Sequence, residues 1–152
     1  MMQSCWLFNF GDETETEQVS IYEPVYATRT ELNDIKLQNP KATSTNAKIY
    51  LKDQYIFVND KRDGFHIIDN TDPSDPKKLK YLKALGSTDV AIRNNILYIN
   101  QATDLVALKI NTTTNEVQVL KRIENAFPTM ISPDGFYGSP PNDKIIVDWK
   151  LK

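Results

Sequence analysis

Residues 48–85 read KIYLKDQYIFVNDKRDGFHIIDNTDPSDPKKLKYLKAL, and residues 89–123 read DVAIRNNILYINQATDLVALKINTTTNEVQVLKRI. The second stretch repeats the first. Tyr55-Ile56-Phe57-Val58-Asn59 aligns with Ile96-Leu97-Tyr98-Ile99-Asn100 at an offset of 41, and Gly64-Phe65-His66-Ile67-Ile68-Asp69 aligns with Asp104-Leu105-Val106-Ala107-Leu108-Lys109 at 40. One residue has been lost in the loop between them. In both copies short apolar runs alternate with turn residues, at Asp53-Gln54, Asn70 to Pro76, Asn94-Asn95 and Asn111 to Asn115, which is the punctuation of strands and not of helices. A period of about 40 residues with four short strands is that of a β-propeller blade. The expected fold is all-β: propeller-like four-stranded antiparallel blades, about two clear repeats over residues 47–86 and 88–125, with one short N-terminal helix.

Working outward, residues 1–17 form an expected N-terminal tether and residues 18–152 the β domain. The acidic run Gly11 to Glu17 repels itself and cannot bury enough surface to order. Gln18 to Tyr26 alternates as a strand, with Pro24 confining it to an edge or an end. Thr28-Arg29-Thr30-Glu31 fits a capping box and opens a short helix with Leu32, Ile35 and Leu37 as its apolar positions, stopped by Asn39-Pro40. Lys41 to Asn46 is polar loop. The outer strand from Lys78 to Leu85 carries lysines suited to an exposed edge. Phe127 to Ser132 reads as one more strand, and Lys144 to Lys152 alternates cleanly and should pair with an earlier edge.

Composition excludes several classes of function. A net charge of −2, from 18 basic and 20 acidic residues, gives no basic footprint for nucleic acid. No apolar stretch is long enough to span a bilayer. The single cysteine, Cys5, forbids an internal disulfide, and with the lone His66 it leaves no Cys/His zinc set. Ser4-Cys5 followed by an acidic tether looks like the junction between a lipoprotein signal and its mature chain, although the apolar segment that normally precedes it is missing. Lipidation at Cys5 is the expected anchor. The chain would then be a cell-envelope or cell-surface lipoprotein, touching membrane only through that anchor, and cytoplasmic if Met1 is the true start.

Gly64-Phe65-His66-Ile67-Ile68-Asp69-Asn70 with Asp72-Pro73 and Asp75-Pro76, then Asp104-Leu105-Val106-Ala107-Leu108, resemble the LVIVD-repeat family. The resemblance spans most of Ile21 to Trp149. It implies a β-propeller protein of a bacterial or archaeal surface, and it implies no catalytic residues. The second copy departs from the pattern: Lys109 replaces the expected Asp, and Thr113 and Glu116 replace Pro73 and Pro76. Two copies are also fewer than the four blades that close a propeller.

Candidate sites are few. Asp69, Asp72 and Asp75 invite a calcium reading, but an EF-hand loop needs Gly at its sixth position and Glu at its twelfth, where this chain has Ser74 and Lys80. Turn formation is the better use of these acids, and no metal or other cofactor is expected. His66 lies between Phe65 and Ile67 with no nucleophile motif beside it, which suits a hydrogen-bonded structural histidine better than a general base. Tyr22, Tyr26, Tyr50, Tyr55 and Trp149, with His66, are the candidates to line a groove for a sugar or peptide, set against the commoner use of strand aromatics as core. The leading expectation is a non-catalytic cell-surface binding or scaffold module for a surface protein or glycan. Two alternatives stay open: an envelope glycosidase with a carboxylate pair, and a homo-oligomeric assembly subunit pairing through open edge strands.

Overall fold

The computed structural model describes residues 19–152. Cys5 and the acidic tether lie outside the described residues. Over the described residues the fold is all-β apart from one short helix, and the strands form three antiparallel sheets with no closed barrel among them. The first sheet contains β2 (Lys36–Gln38), β3 (Asn46–Lys52), β4 (Tyr55–Asp60), β5 (Gly64–Asp69) and β6 (Lys77–Lys83), in the order β2-β6-β5-β4-β3. The second contains β7 (Ser87–Arg93), β8 (Ile96–Gln101), β9 (Asp104–Asn111) and β10 (Glu116–Ile123), in the order β10-β9-β8-β7. The third pairs β1 (Tyr22–Thr28) with β11 (Lys144–Leu151).

The sequence repeat reappears as hydrogen-bond register. Phe65 pairs with Leu82 and His66 with Tyr81, just as Leu105 pairs with Ile123 and Val106 with Arg122. Even the irregularities coincide, because Leu79 and Leu120 are the extra residues of equivalent bulges in β6 and β10. The turns follow local chemistry. Asn94 and Asn95 both take positive φ, which asparagine tolerates and a two-residue hairpin turn requires.

Helix α1 (Arg29–Asn33) keeps the expected capping box: the Glu31 amide donates to the Thr28 hydroxyl at 3.2 Å, and the Thr28 amide donates to the Glu31 carboxylate at 2.7 Å. It stops before Ile35 and Leu37, which corrects the expected helix. Leu37 sits on β2 opposite Leu82, where a strand satisfies the open side of β6 and buries both leucines. For the same reason β6 is not an edge over Tyr81 to Lys83, and the first sheet has five strands instead of four. Two further corrections concern the ends. The first strand begins at Tyr22, and Phe127 to Ser132 is irregular, folded over β11 so that Trp149 Nε1 donates to the Met130 carbonyl at 3.2 Å.

The main core lies between the first two sheets. Phe57, Phe65, Ile67 and Leu82 meet Leu97, Ile99, Val106 and Leu108, with Leu37, Ala84 and Val90 completing it. Burying side chains of this size contributes roughly 1.5–3 kcal/mol each. A smaller core of Ala27, Leu32 and Val147 joins α1 and the β1–β11 sheet to Leu85 and Ala102, in the turns at one end of both repeats. The other end, carrying the Asp53-Gln54 and Asn94-Asn95 turns, is left open.

Candidate binding cleft and the buried polar clusters

At that open end the two sheets diverge around a cleft of about 220 Å³. Its walls are Phe57 and Ile67 of the first sheet and Ile92, Leu97 and Ile110 of the second, all drawn from the apolar face of each strand. Its rim is polar: Lys52, Asp53, Tyr55, Asn95 and Thr112. Lys52 Nζ lies 2.6 Å from the Asp53 carboxylate, so the one acid of the rim is already paired with a cation. An apolar floor with a few oriented polar groups is the usual construction of a small-molecule site. Asp53 is the only carboxylate among the lining residues, whereas glycoside hydrolysis uses two acids facing one another across a pocket.

The aromatic residues singled out from sequence do not form one groove. Tyr55 lines the cleft. Tyr50 bridges the sheets just beneath it, its hydroxyl donating to the Ile92 carbonyl at 3.3 Å. Tyr22, Tyr26 and Trp149 belong to the β1–β11 sheet, and Trp149 is buried there. Lys52, Asp53, Asn95 and Thr112 escaped the sequence reading. The signal for them was the repeat itself, which places the turns after β3, β7 and β9 at the same end of neighbouring sheets.

His66 lies on the other face of the first sheet, fully enclosed in a polar cluster. Its ring stacks edge-on against Tyr81 with centroids 4.9 Å apart, and its Nε2 is 3.4 Å from Asp60 Oδ2. The other oxygen of Asp60 accepts from the Ser44 hydroxyl at 2.6 Å and the Thr45 amide at 3.0 Å. Lys41 sits 3.9 Å above the Tyr81 ring and pairs with both Asp60 and Asp63. Burial pushes the Asp60 carboxyl up, but the Ser44 and Thr45 donors and Lys41 outweigh it and hold the group below the ordinary carboxylate range. Burial pushes the His66 pKa down despite Asp60, so the ring is held neutral. The cluster pins residues 41–45 onto the sheet. Ser44 donates to Asp60 and not to His66, so the arrangement is not that of an activated nucleophile.

The second sheet has its own buried carboxylate. Asp104 accepts from Arg122 Nη1 at 2.7 Å, from Arg29, and from the Asn125 amide at 3.2 Å. Burial pushes its pKa up, but Arg122, the Asn125 amide and Arg29 together bring it below the usual range. The Asp-Pro loop of the first repeat forms turns: Asp69 accepts from the Thr71 amide and hydroxyl, and Asp72 from those of Ser74. No group of three or more His, Cys, Asp and Glu side chains that could hold a metal gathers among the described residues, and none of their helices is long and apolar enough to cross a membrane.

No protein-family model, curated protein or solved structure matches the chain.

Proposed function

We propose that the chain is a non-catalytic binding module of a cell surface, built of propeller-like blades of the LVIVD-repeat kind and anchored through Cys5. The observation that carries this reading is the cleft, where an apolar floor and a polar rim come together around a single, ion-paired carboxylate. Such a site holds a ligand without supplying an acid and a base to transform it. Its chemistry suits an amphipathic ring: a terminal sugar of a glycan or an aromatic side chain of a surface protein, laid against Tyr55 with polar edges toward Asp53, Asn95 and Thr112. The two repeats stack as neighbouring blades would, and the β1–β11 sheet with α1 closes the end away from the cleft.

The test is ligand-detected NMR over a panel of mono- and disaccharides and aromatic peptides, with Tyr55→Ala and Thr112→Trp as cleft variants. The expected result is a binder that weakens about ten-fold or more in both variants, the size of effect for an anchoring aromatic contact. Binding indifferent to both variants, no binder in the panel, or turnover of a sugar by the unmodified protein would each contradict the reading. Anchoring is tested separately by fatty-acid labelling in an exporting host, with Cys5→Ser expected to lose the label.

A further inference from the structure

The outward face of the second sheet carries an apolar groove of about 290 Å³, lined by Ile96, Tyr98, Leu105, Ala107, Leu120 and Ile123 beside Lys121. Repeat equivalence explains what this groove is. By pairing and by offset, Tyr98, Leu105, Ala107 and Ile123 stand where Phe57, Phe65, Ile67 and Leu82 stand in the first sheet. Those four are buried in the main core, pressed against the second sheet. The groove is therefore the same sheet face that the first repeat uses to hold its neighbour, and no other element of the described residues packs on it in the second. Ile123 is 47% exposed and Leu120 40%.

The complementary half is also present. In the core the second sheet presents Val90 and Ile92 of β7 to the first sheet. Their equivalents, 41 residues earlier on β3, are Ile49 and Leu51, which are 65% and 67% exposed on the outer face of the first sheet. The remainder of that face, around His66, is covered by residues 41–45. One molecule thus carries, on opposite sides, one half of its internal interface and an exposed strip of the other.

We infer that the groove of the second sheet receives the Ile49–Leu51 strip of a second copy of this chain. The contact continues the internal stacking from molecule to molecule. It is heterologous, since a groove meets a strip and each copy keeps one of each free, so association runs head to tail into rings or short stacks. Packing of sheet faces drives it, and no edge strand need be paired. A groove of this size with a charged residue at its side makes a weak, concentration-dependent contact. The inference rests on the register of the repeats and is independent of what the cleft binds.

The experiment uses two charge variants at exposed positions, Ile123→Glu in the groove and Leu51→Glu on the strip. Light scattering and sedimentation of the unmodified chain should show an average mass rising above 17.4 kDa as concentration increases toward about 1 mM, the range of weak association. Each variant alone should weaken association about ten-fold or more while keeping the unmodified circular-dichroism spectrum and melting temperature. Mixed in equal amounts, the two variants should recover one sound contact, the groove of Leu51→Glu taking the strip of Ile123→Glu, and form a dimer and nothing larger. A chain that stays monomeric throughout, association untouched by Leu51→Glu, or a mixture no better than its components would each overturn the inference.

Discussion

The two repeats share backbone, register and bulges, yet they fill the same buried corner with different chemistry. Where the first sheet has Gly64 and Tyr81, the second has Asp104 and Arg122; where the first has Asp60 and His66, the second has Gln101 and Val106. In the first, an aromatic ring lies over a glycine and a neutral histidine faces a carboxylate at 3.4 Å, a separation too long for a strong hydrogen bond. In the second, a carboxylate is clamped by two guanidinium groups, and Gln101 donates to the carbonyls of Leu32 at 2.9 Å and Leu85 at 3.0 Å. The difference follows from what covers each corner. The first meets only its own loop, residues 41–45. The second joins its sheet to α1, so it carries permanent charges fixed from two elements. The fold tolerates either solution, and only the second ties distant parts of the chain together.

Breaking the clamp should have the largest effect. Asp104→Asn leaves Arg29 and Arg122 facing each other without a buried counter-charge and should cost about 3–5 kcal/mol in urea denaturation. The folded pKa of Asp104 lies below its unfolded value, near 3.9, so its contribution is present above that pH and is lost as pH falls through the folded pKa. The variant should therefore show a shallower loss of stability on acidification. If it unfolds at the same urea concentration as the unmodified protein, the clamp carries no weight.

The glycine solution should be nearly as intolerant. A Cβ on Gly64 would stand 2.1 Å from the Leu82 carbonyl oxygen and 2.9 Å from the Tyr81 hydroxyl. Gly64→Ala should cost about 1–3 kcal/mol by forcing β5 and β6 apart, read as a fall in the denaturation midpoint. At the equivalent position of the second sheet a full aspartate side chain is accommodated, so a neutral result would mean that the Leu82 carbonyl, as well as the Tyr81 ring, gives way freely.

His66 gives the first corner a pH dependence that begins nearer neutrality than that of Asp104. Its folded pKa is lowered by burial, so as pH falls the unfolded chain takes up a proton first, at about 6.5, and the folded ring only at lower pH. Stability is full above that pH and declines as pH falls below it, by at most about 1.4 kcal/mol per pH unit. His66→Val, which copies Val106, should abolish this slope just below about pH 6.5, measured by melting temperature against pH. The smallest effect belongs to the exposed pair Lys48–Asp89, which crosses between the two sheets: Lys48→Ala should change stability by less than about 1 kcal/mol, and less still in high salt.

What was legible in the sequence was local or periodic. The repeat is periodic, at 40 to 41 residues, and reappears as equivalent register, while the second strand of each copy and the capping box at Thr28 depend on residues within a few positions of one another and appear as hydrogen bonds there. The strand at Lys36–Gln38 was not legible, because Leu32, Ile35 and Leu37 fit the spacing of a helix and only the open side of β6, some forty-five residues away, makes them something else. The guanidinium partners of Asp104 lie 75 and 18 residues from it. The cleft assembles turn residues from separate hairpins, and no linear pattern of side chains announces it. The arrangement of faces, with the first sheet's inner face on the second sheet's inner face, is likewise a property of three dimensions.

That arrangement underlies the cleft, the outer groove and the comparison of the two corners. Methyl–aromatic nuclear Overhauser contacts in the isotope-labelled protein test it directly. The Phe57 and Tyr50 rings should show cross-peaks to the Ile92 and Leu97 methyl groups, and the Tyr98 ring should show none to Phe57. Cross-peaks between Tyr98 and Phe57, with none from Ile92 or Leu97 to the first sheet, would put the wrong face of the second repeat inward and contradict the account.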